Sequence, residues 1–319
     1  MFKKINLLNS MGGLAVLATI SQAMAASERA DYHELALVAG PARSGTSTLT
    51  AAVRACGFGL SPAAEAQKEE LKEETASAES KLNPKGTLED LLFLKIGREY
   101  MNRTNKDKPL PPTHPSMAKG RKNIGIFFNT VFKDSARVVL KHPALSKFGP
   151  ILERRATQED VGAQALNIKF SYVIALRHPA DVGLSMHHAF HERNPEKTVE
   201  DYMEMWRENL QQALSSANIE SERKITDGQE EVTLPPAAKR IFVKYEEIMK
   251  HTDEALTTLA RRLGTTLAPE ALESFKTEFL LQDVRKNHTP FMEDHPDYPM
   301  TESQRELRDH LEALYQAQD

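Results

Sequence analysis

Residues 40–47 constrain this chain most strongly, because a glycine-containing loop stands there between an apolar run and a helical pattern. Residues 35–39 are all apolar and end at a Gly-Pro pair, which is typical of a short buried strand. Residues 48–56 carry apolar side chains at helical spacing, and Gly57 provides a helix stop. A loop that enters a helix in this way presents unpaired backbone N–H groups and a positive dipole end to an anion. The segment therefore predicts a phosphate-binding unit.

The residues within the loop narrow the choice of anion. Ser47 stands at the hydroxyl position of a phosphate loop, but Thr46 stands where an ATP or GTP loop carries its lysine. Arg43 supplies the positive charge instead. Hydrolysis of ATP or GTP is therefore disfavoured. The alternative interpretation is a tight turn that binds no ligand.

Three further apolar runs end in polar clusters and are followed, like the first, by helical patterns. They cover residues 137–140, 170–176 and 241–243. Strands that alternate with helices predict an α/β fold, P-loop-like, with three α/β/α layers and a central, mostly parallel sheet. Ligands of such sheets bind beyond the carboxyl ends of the strands. The clusters expected to meet at that edge are Arg43 with Ser44, Lys141 with His142, Arg177, and Tyr245.

Two of these clusters have the chemistry of a nucleotide site. Arg177 is followed by a Pro that can open a helix and, eight residues later, by Ser185. A guanidinium fork with a hydroxyl suits a second phosphate. Tyr245, which precedes two glutamates, can pack against a base or a ribose.

Taken in order, these motifs resemble those of the bacterial-type sulfotransferases that use 3′-phosphoadenosine-5′-phosphosulfate (PAPS). In that family a Pro-[Lys/Arg]-Ser-Gly-Thr-[Thr/Ser] loop binds the 5′-phosphosulfate, an Arg with a Ser eight residues later binds the 3′-phosphate, and a Tyr-Glu-Asp segment lies near the adenosine. Here residues 43–47, Arg177 with Ser185, and residues 245–247 take those places. Ala42 and Glu247 depart from the family pattern without removing an anion-binding group.

The resemblance implies a set of site residues. PAPS is the sulfuryl donor and 3′,5′-phosphoadenosine (PAP) the product, with no metal required. The donor-binding residues would be Arg43, Ser44, Gly45, Thr46, Ser47, Arg177, Ser185 and Tyr245, with Arg285 and Lys286 closing over the 3′-phosphate. Lys141 would line the donor or acceptor pocket.

Arg43 would stabilise the leaving phosphate, and a general base would deprotonate the acceptor. Residues 83–89 resemble the Asn-Pro-Lys-Gly-Phe-Trp-Glu segment of bacterial members, and this favours Glu89 as the base. His142 is the alternative, in a segment similar to the Lys-Thr-His of the cytosolic branch but without its threonine. Each could instead be structural. His187 and His191 lie one helical turn apart, but no third metal ligand is implied.

Composition and charge bound the remaining choices. The chain has 319 residues and a net charge of −4, so no basic field draws it to nucleic acid. Cys56 is the only cysteine, which excludes an internal disulfide. We expect a single domain over residues 30–319, with an insertion on the acceptor side at about residues 61–121.

The first 25 residues give conflicting indications of location. Lys3 and Lys4 precede an apolar stretch, and Ala23-Met24-Ala25 follows it, as in a secretory signal peptide. A disordered extension is the other interpretation. The availability of PAPS favours the cytoplasm, whereas a signal peptide implies export or membrane association.

Two rival functions stay open. A P-loop nucleotide kinase-like enzyme would share the loop and the sheet, and a non-catalytic nucleotide-binding relative would share the site without turnover. The acceptor, whether small molecule, saccharide or protein, and the oligomeric state are left open by the sequence.

Overall fold

The computed structural model describes residues 32–61, 115–142, 145–156, 167–227, 229–279 and 298–318. Glu89, Arg285, Lys286, the N-terminal segment 1–25 and most of the expected insertion lie outside the described residues.

The described residues alternate between strands and helices. In chain order the elements are β1 (His33–Ala39), α1 (Thr46–Ala55), α2 (Pro115–Val131), β2 (Arg137–Lys141), α3 (Leu145–Ala156), β3 (Ile168–Leu176), α4 (Pro179–Phe190), α5 (Val199–Ser216), β4 (Arg223–Asp227), β5 (Glu230–Leu234), β6 (Arg240–Lys244), α6 (Tyr245–Lys250), α7 (Thr252–Leu263), α8 (Pro269–Phe279) and α9 (Glu302–Gln316).

Four strands form the central sheet in the order β2-β1-β3-β6, and every neighbouring pair is parallel. Leu37 of β1 lies between Leu140 of β2 and Tyr172 of β3, which fixes the register on both sides. The four apolar runs predicted strands at these places, and the α/β prediction is confirmed. The carboxyl ends of all four strands consequently meet at one edge of the sheet.

Helices cover both faces of the sheet. Leu35 and Leu37 point into a core shared with α2, α3, α4, α5 and α9, whereas Ala36 and Val38 point into a core shared with α1, α6, α7 and α8. Successive side chains of a strand alternate between faces, so a strand that is apolar throughout requires a cover on each side. This arrangement confirms the three-layer prediction.

A two-stranded antiparallel hairpin, β4 with β5, stands apart from the central sheet. Arg154 and Arg155 of α3 form ion pairs with Asp227 at 2.7 Å and 2.6 Å, and Arg223 pairs with Glu153 at 2.7 Å. Asp227 and Arg223 are buried, and each meets an opposite charge on α3, so neither buried charge is left uncompensated. The hairpin is thereby fixed to α3.

The strand β6 forms one edge of the central sheet, and a side chain pairs with its backbone there. The N–H of Phe242 donates to Oε1 of Gln318 at 2.8 Å, and Nε2 of Gln318 donates to the Phe242 carbonyl at 2.9 Å. Gln318 lies two residues beyond α9. A side-chain amide thus takes the place of a neighbouring strand at this position.

The helix α5 has a capped N-terminus. Thr198 caps it, and a reciprocal capping box joins Thr198 to Asp201. None of the described helices combines the length and apolar composition that crossing a membrane requires.

Candidate active site

The loop between β1 and α1 has the backbone conformation of an anion cradle. Gly40, Arg43 and Gly45 have positive φ angles of 146°, 65° and 86°. The Ser44 hydroxyl donates to the carbonyl of Pro41 at 2.7 Å and closes the loop on itself. Arg43 adopts a left-handed conformation that non-glycine residues seldom take, so the loop holds its arginine in a strained orientation.

The N-terminus of α1 is open to an anion. Its N-cap is Gly45, no side chain caps it, and its first turn contains no acidic residue. By contrast, α5 and α9 each begin with a reciprocal capping box. The first backbone N–H groups of a helix have no partner within the helix, and they add to its positive dipole end. A phosphate in front of this loop would satisfy them.

Tyr245, the first residue of α6, packs directly on the loop. A Cβ added to Gly45 would lie 2.3 Å from Cδ2 of Tyr245. On the other side, the guanidinium carbon of Arg177 lies 4.7 Å from the centroid of the tyrosine ring. The ring therefore contacts both the loop and Arg177. Such a cation–π contact helps to orient the arginine.

Two arginines join the loop to β3 and α4. Nη1 of Arg177 donates to the carbonyl of Arg43 at 2.9 Å, and Nε of Arg43 donates to Oγ of Ser185 at 3.2 Å. Burial, followed by the charge of Arg177, lowers the pKa of Arg43. Two adjacent guanidinium groups repel each other, and an anion between them would relieve that repulsion.

The end of β2 brings a lysine to the same loop. The buried Lys141 donates from Nζ to Oγ of Ser47 at 3.4 Å. His142 follows it at the strand end, is half-buried, and accepts a hydrogen bond from the N–H of Leu145 at its carbonyl. His142 thus directly follows, in sequence, the lysine that contacts the hydroxyl group of Ser47.

The turn between β3 and α4 is surrounded by residues that were not predicted to bind the donor. Nε1 of Trp206, on α5, donates to the carbonyl of Arg177 at 3.2 Å. Burial raises the pKa of the Glu246 carboxyl, while hydrogen bonds from the backbone N–H groups of Glu246 and His178 lower it. Nδ1 of His178 accepts from the N–H of Ala180, and burial lowers the pKa of His178. The His178 imidazole is therefore neutral near neutral pH and acts as a helix cap.

The model of the sulfotransferase domain family matches residues 34–311, which is most of the chain. The chain belongs to the sulfotransferase domain family. Members of this family transfer a sulfuryl group from PAPS. The resemblance seen in the motifs is thereby confirmed.

Solved structures that are similar to this one include two sulfotransferases and a retinol dehydratase. The sulfotransferase domain of the Synechococcus PCC 7002 olefin synthase is 19% identical, with 88% of this chain and 95% of that chain covered and a TM-score of 0.45. Sulfotransferase STF9 from Mycobacterium avium is 13% identical, with 90% and 82% covered and a TM-score of 0.44. A retinol dehydratase solved with androsterone and the inactive cofactor PAP is 15% identical, with 89% and 81% covered and a TM-score of 0.36. None of the curated proteins compared with the chain matches it significantly.

In this sulfotransferase the structure brings most of the expected site residues together. Contacts connect Arg43 with Arg177 and Ser185, Ser47 with Lys141, and Tyr245 with the loop. The direct contact between Arg43 and Ser185 was not predicted, since the family resemblance places these residues at opposite ends of the donor. The contributions of Trp206 and Glu246 were also missed. In the sequence, a tryptophan within a helix and a glutamate beside Tyr245 cannot be distinguished from ordinary core and surface residues.

A cavity of about 380 Å³ adjoins the site on the side of α5 and α9. Arg177, Trp206 and Glu246 line it, so both residues that hold the β3–α4 turn also face this space. Lys244 and Glu312 pair at 2.6 Å and connect the end of β6 to α9 beside it. This cavity extends the site away from the loop, beyond Arg177.

Metal ligands do not cluster in the part of the chain that the structure describes. There, no group of three or more His, Cys, Asp or Glu residues could hold an ion. The rings of His187 and His191 lie 4.8 Å apart, and His187 also meets the ring of Tyr202 edge-on. These contacts are aromatic packing.

Proposed function

We propose that this sulfotransferase binds PAPS across the carboxyl ends of β1 and β3 and transfers its sulfuryl group in line to a hydroxyl or amine. The observation that carries the proposal is the contact between two motifs that lie far apart in the sequence. Arg43 lies 134 positions from Arg177 and 142 from Ser185, yet it hydrogen-bonds with both. Cationic and hydroxyl groups from separate elements thereby surround the open N-terminus of α1.

The loop suits the 5′-phosphosulfate end of the donor. The N–H groups at the start of α1 would donate to the 5′-phosphate, together with the hydroxyls of Thr46 and Ser47. Lys141, already in contact with Ser47, adds a buried positive charge at the same place. Arg43 would stabilise the oxygen that bridges phosphate and sulfur as it takes up charge.

Arg177 and Ser185 suit the 3′-phosphate. An arginine can donate two parallel hydrogen bonds to a phosphate, and a hydroxyl can add a third. ADP lacks this phosphate, so the pair would separate PAPS and PAP from ADP-type ligands. Arg285 and Lys286, which lie outside the described residues, would close over the same phosphate. Tyr245 packs against Gly45 of the loop and would lie near the adenosine.

The reaction requires one bond to form and one to break. The acceptor oxygen or nitrogen bonds to sulfur, the bond between sulfur and the bridging oxygen breaks, and its electron pair stays with the 5′-phosphate of PAP. The acceptor proton passes to a base, either Glu89 or His142. The role of the chain is mainly positioning and electrostatic stabilisation, by analogy with phosphoryl transfer. A sulfuryl group carries less charge than a phosphoryl group, so no metal is demanded.

Mutation of the two candidate bases distinguishes between them. If His142 is the base, we expect His142→Ala to lower kcat by about 100-fold or more while PAP still binds. If Glu89 is the base, Glu89→Gln has that effect and His142→Ala a small one. Single-turnover rates with saturating PAPS would measure this. Variants that also lose PAP binding would instead place the residue in the donor site.

The acceptor is a hydroxyl or amine on a small molecule, a saccharide or a protein. The described residues on the acceptor side are few, since residues 62–114 lie outside them. A panel of these three acceptor classes, supplied with PAPS, is the direct way to distinguish them.

The test of the donor site is calorimetry with PAP, ADP and ATP-Mg²⁺ on the wild type and on Arg177→Ala. Arg261→Ala is a matched control, because it removes the same charge from an exposed position in the last turn of α7. We expect micromolar binding of PAP and weak binding of ADP. Loss of Arg177 should weaken PAP binding by about 2–3 kcal/mol and leave ADP binding unchanged.

Two results would contradict the proposal. Tighter binding of ATP-Mg²⁺ than of PAP, unaffected by Arg177→Ala, would indicate a kinase-like nucleotide site. Binding of PAP without sulfuryl transfer to any acceptor class would indicate a non-catalytic relative.

A further inference from the structure

The peptide bond between Arg177 and His178, just beyond the end of β3, is contacted by a side chain from another element. The carbonyl of Arg177 and the N–H of His178 are the two ends of this bond. Trp206 of α5 donates from Nε1 to the carbonyl at 3.2 Å. Glu246 of α6 lines the same cavity as Arg177, His178 and Trp206, and the N–H of His178 lowers the pKa of its carboxyl. Because the carbonyl and the N–H of a trans peptide point in opposite directions, an indole and a carboxylate can bind the two ends at once.

We propose that Trp206 and Glu246 are positioning residues that orient Arg177 for the 3′-phosphate of the donor. The inference rests on the proposed function. Arg177 lies between Leu176, the end of β3, and His178, the N-cap of α4, so the orientation of this peptide plane sets the direction in which its side chain leaves the backbone. With the plane held, the guanidinium lies over Tyr245 and reaches the carbonyl of Arg43.

Burial strengthens both interactions. Trp206 is 2% exposed, and its indole N–H would be left without a partner if the peptide rotated. One oxygen of the Glu246 carboxylate, Oε1, is buried with no hydrogen-bond partner among the described residues. A buried carboxylate is stabilised by each N–H that it receives, and by the nearby charge of Arg177. The peptide is therefore tied to groups that lose stability when it turns.

The proposal makes specificity for the 3′-phosphate depend on residues that do not touch the donor. The quantity to measure is the ratio of the Kd for ADP to the Kd for PAP, since both ligands share the adenosine and its 5′-phosphate and only PAP carries the 3′-phosphate. A residue with a general structural role would weaken both ligands together. A residue that orients Arg177 would weaken the binding of PAP and leave that of ADP unchanged, so the ratio would fall.

Three variants test the two contacts by calorimetry. Trp206→Phe keeps an aromatic ring and removes the N–H donor, and Glu246→Met keeps the length and removes the acceptor. We expect each to lower the ratio about three- to tenfold. Glu246→Gln retains an oxygen that can accept the N–H of His178, and we expect it to keep the ratio within about twofold of the wild type.

Matched controls come from neighbouring positions. Tyr202→Phe removes a buried hydroxyl that has no hydrogen-bond partner among the described residues, one turn from Trp206 on α5. Glu254→Met removes an exposed carboxylate from α7. Neither should change the ratio. Unchanged ADP binding in each variant shows that the protein is folded, and if Trp206→Phe fails to fold, the two Glu246 variants still provide the test.

The same variants in an Arg177→Ala background identify the route of the effect. If Trp206 and Glu246 act through Arg177, neither variant should lower the ratio further once Arg177 is gone. The proposal would be overturned if the variants lowered the Kd ratio as much in the Arg177→Ala background as they do in the wild type. It would also be overturned if Trp206→Phe and Glu246→Met kept the wild-type ratio. Both of those results leave the PAPS site itself intact. A wild type that does not prefer PAP over ADP would instead overturn the donor site and the positioning role together.

Discussion

At the scale of single residues, Gly45 shows how closely the loop is fitted to its surroundings. The residue has φ of 86°, and a Cβ there would overlap the ring of Tyr245, which is also near the guanidinium of Arg177. Gly57 has a similar φ of 94° but nothing within 4 Å of an added Cβ. The two glycines thus share a backbone conformation and differ in the space around them.

This pair of glycines allows a matched prediction. We expect Gly57→Ala to cost about 1 kcal/mol of unfolding free energy for its backbone conformation alone. Gly45→Ala should cost about 2–4 kcal/mol, because the overlap with Tyr245 adds to the same backbone term, and it should also weaken PAP binding. Denaturant unfolding and calorimetry would measure both quantities. Equal costs at the two positions would show that the ring of Tyr245 moves aside freely.

Cys56 is a second residue with a definite prediction. It is buried, its thiol points to the carbonyl of Leu256 at 3.7 Å, and burial raises its pKa to about 12. The thiolate is the reactive form, so a thiol reagent should label the native protein on the order of 1,000 times more slowly than the unfolded chain near pH 8. Rapid native labelling would mean that α1 opens readily.

The same shift gives Cys56 a pH-dependent effect on stability. The unfolded thiol loses its proton near about pH 8.5, whereas the folded thiol keeps it up to about pH 12. The stabilising contribution of the folded, protonated form is therefore complete below about pH 8.5 and is lost as pH rises toward about 12. Cys56→Ala should remove this part of the alkaline destabilisation, which unfolding at a series of pH values would detect.

At the scale of elements, the strands were predictable and the hairpin was not. Each central strand is buried on both faces, so runs such as residues 35–39 are apolar throughout and stand out from their flanks. In β4 and β5 most side chains are exposed or half-buried, and buried Arg223 and Asp227 are charged. Their burial depends on ion pairs with α3, which only the folded chain provides.

The edge of the sheet yields a prediction at this scale. We expect Gln318→Ala to lower the unfolding free energy by about 1–3 kcal/mol, since it leaves both backbone groups of Phe242 without their Gln318 partner. The exposed edge should also increase self-association, because unpaired strand edges pair with other chains. Gln316→Ala, on an exposed position of α9, is the control. Denaturant unfolding and light scattering would test the pair, and indistinguishable behaviour would contradict the edge-pairing role.

At the scale of the whole molecule, the site exists because the parallel sheet gathers segments that are far apart in sequence. The motifs could be recognised individually, and the strand ends predicted that they would meet. Their mutual contacts could not be predicted, because the side chain of Arg43 could reach Ser185 only once α4 and the loop had been placed. The same limit explains why Trp206, which lies outside every motif, was missed.

Because three separate segments form the donor site, ligand binding should stabilise all of them together. At a PAP concentration of 100 times its Kd, we expect about 2.7 kcal/mol of stabilisation. Hydrogen exchange should slow in the loop, at the start of α4 and at the start of α6. ADP should protect the loop but have less effect on α4, and Arg177→Ala should remove that difference. Protection confined to the loop would show that the three segments do not bind one ligand.

The indole of Trp206 is in contact with the backbone of Arg177, and it is the only tryptophan in the chain. Selective excitation of tryptophan in the intact protein therefore produces emission from one place, beside the backbone of Arg177. Fluorescence intensity and wavelength depend on the polarity and the charges around the indole. The unlabelled sulfotransferase thus contains an optical reporter next to the arginine on which its choice of donor depends.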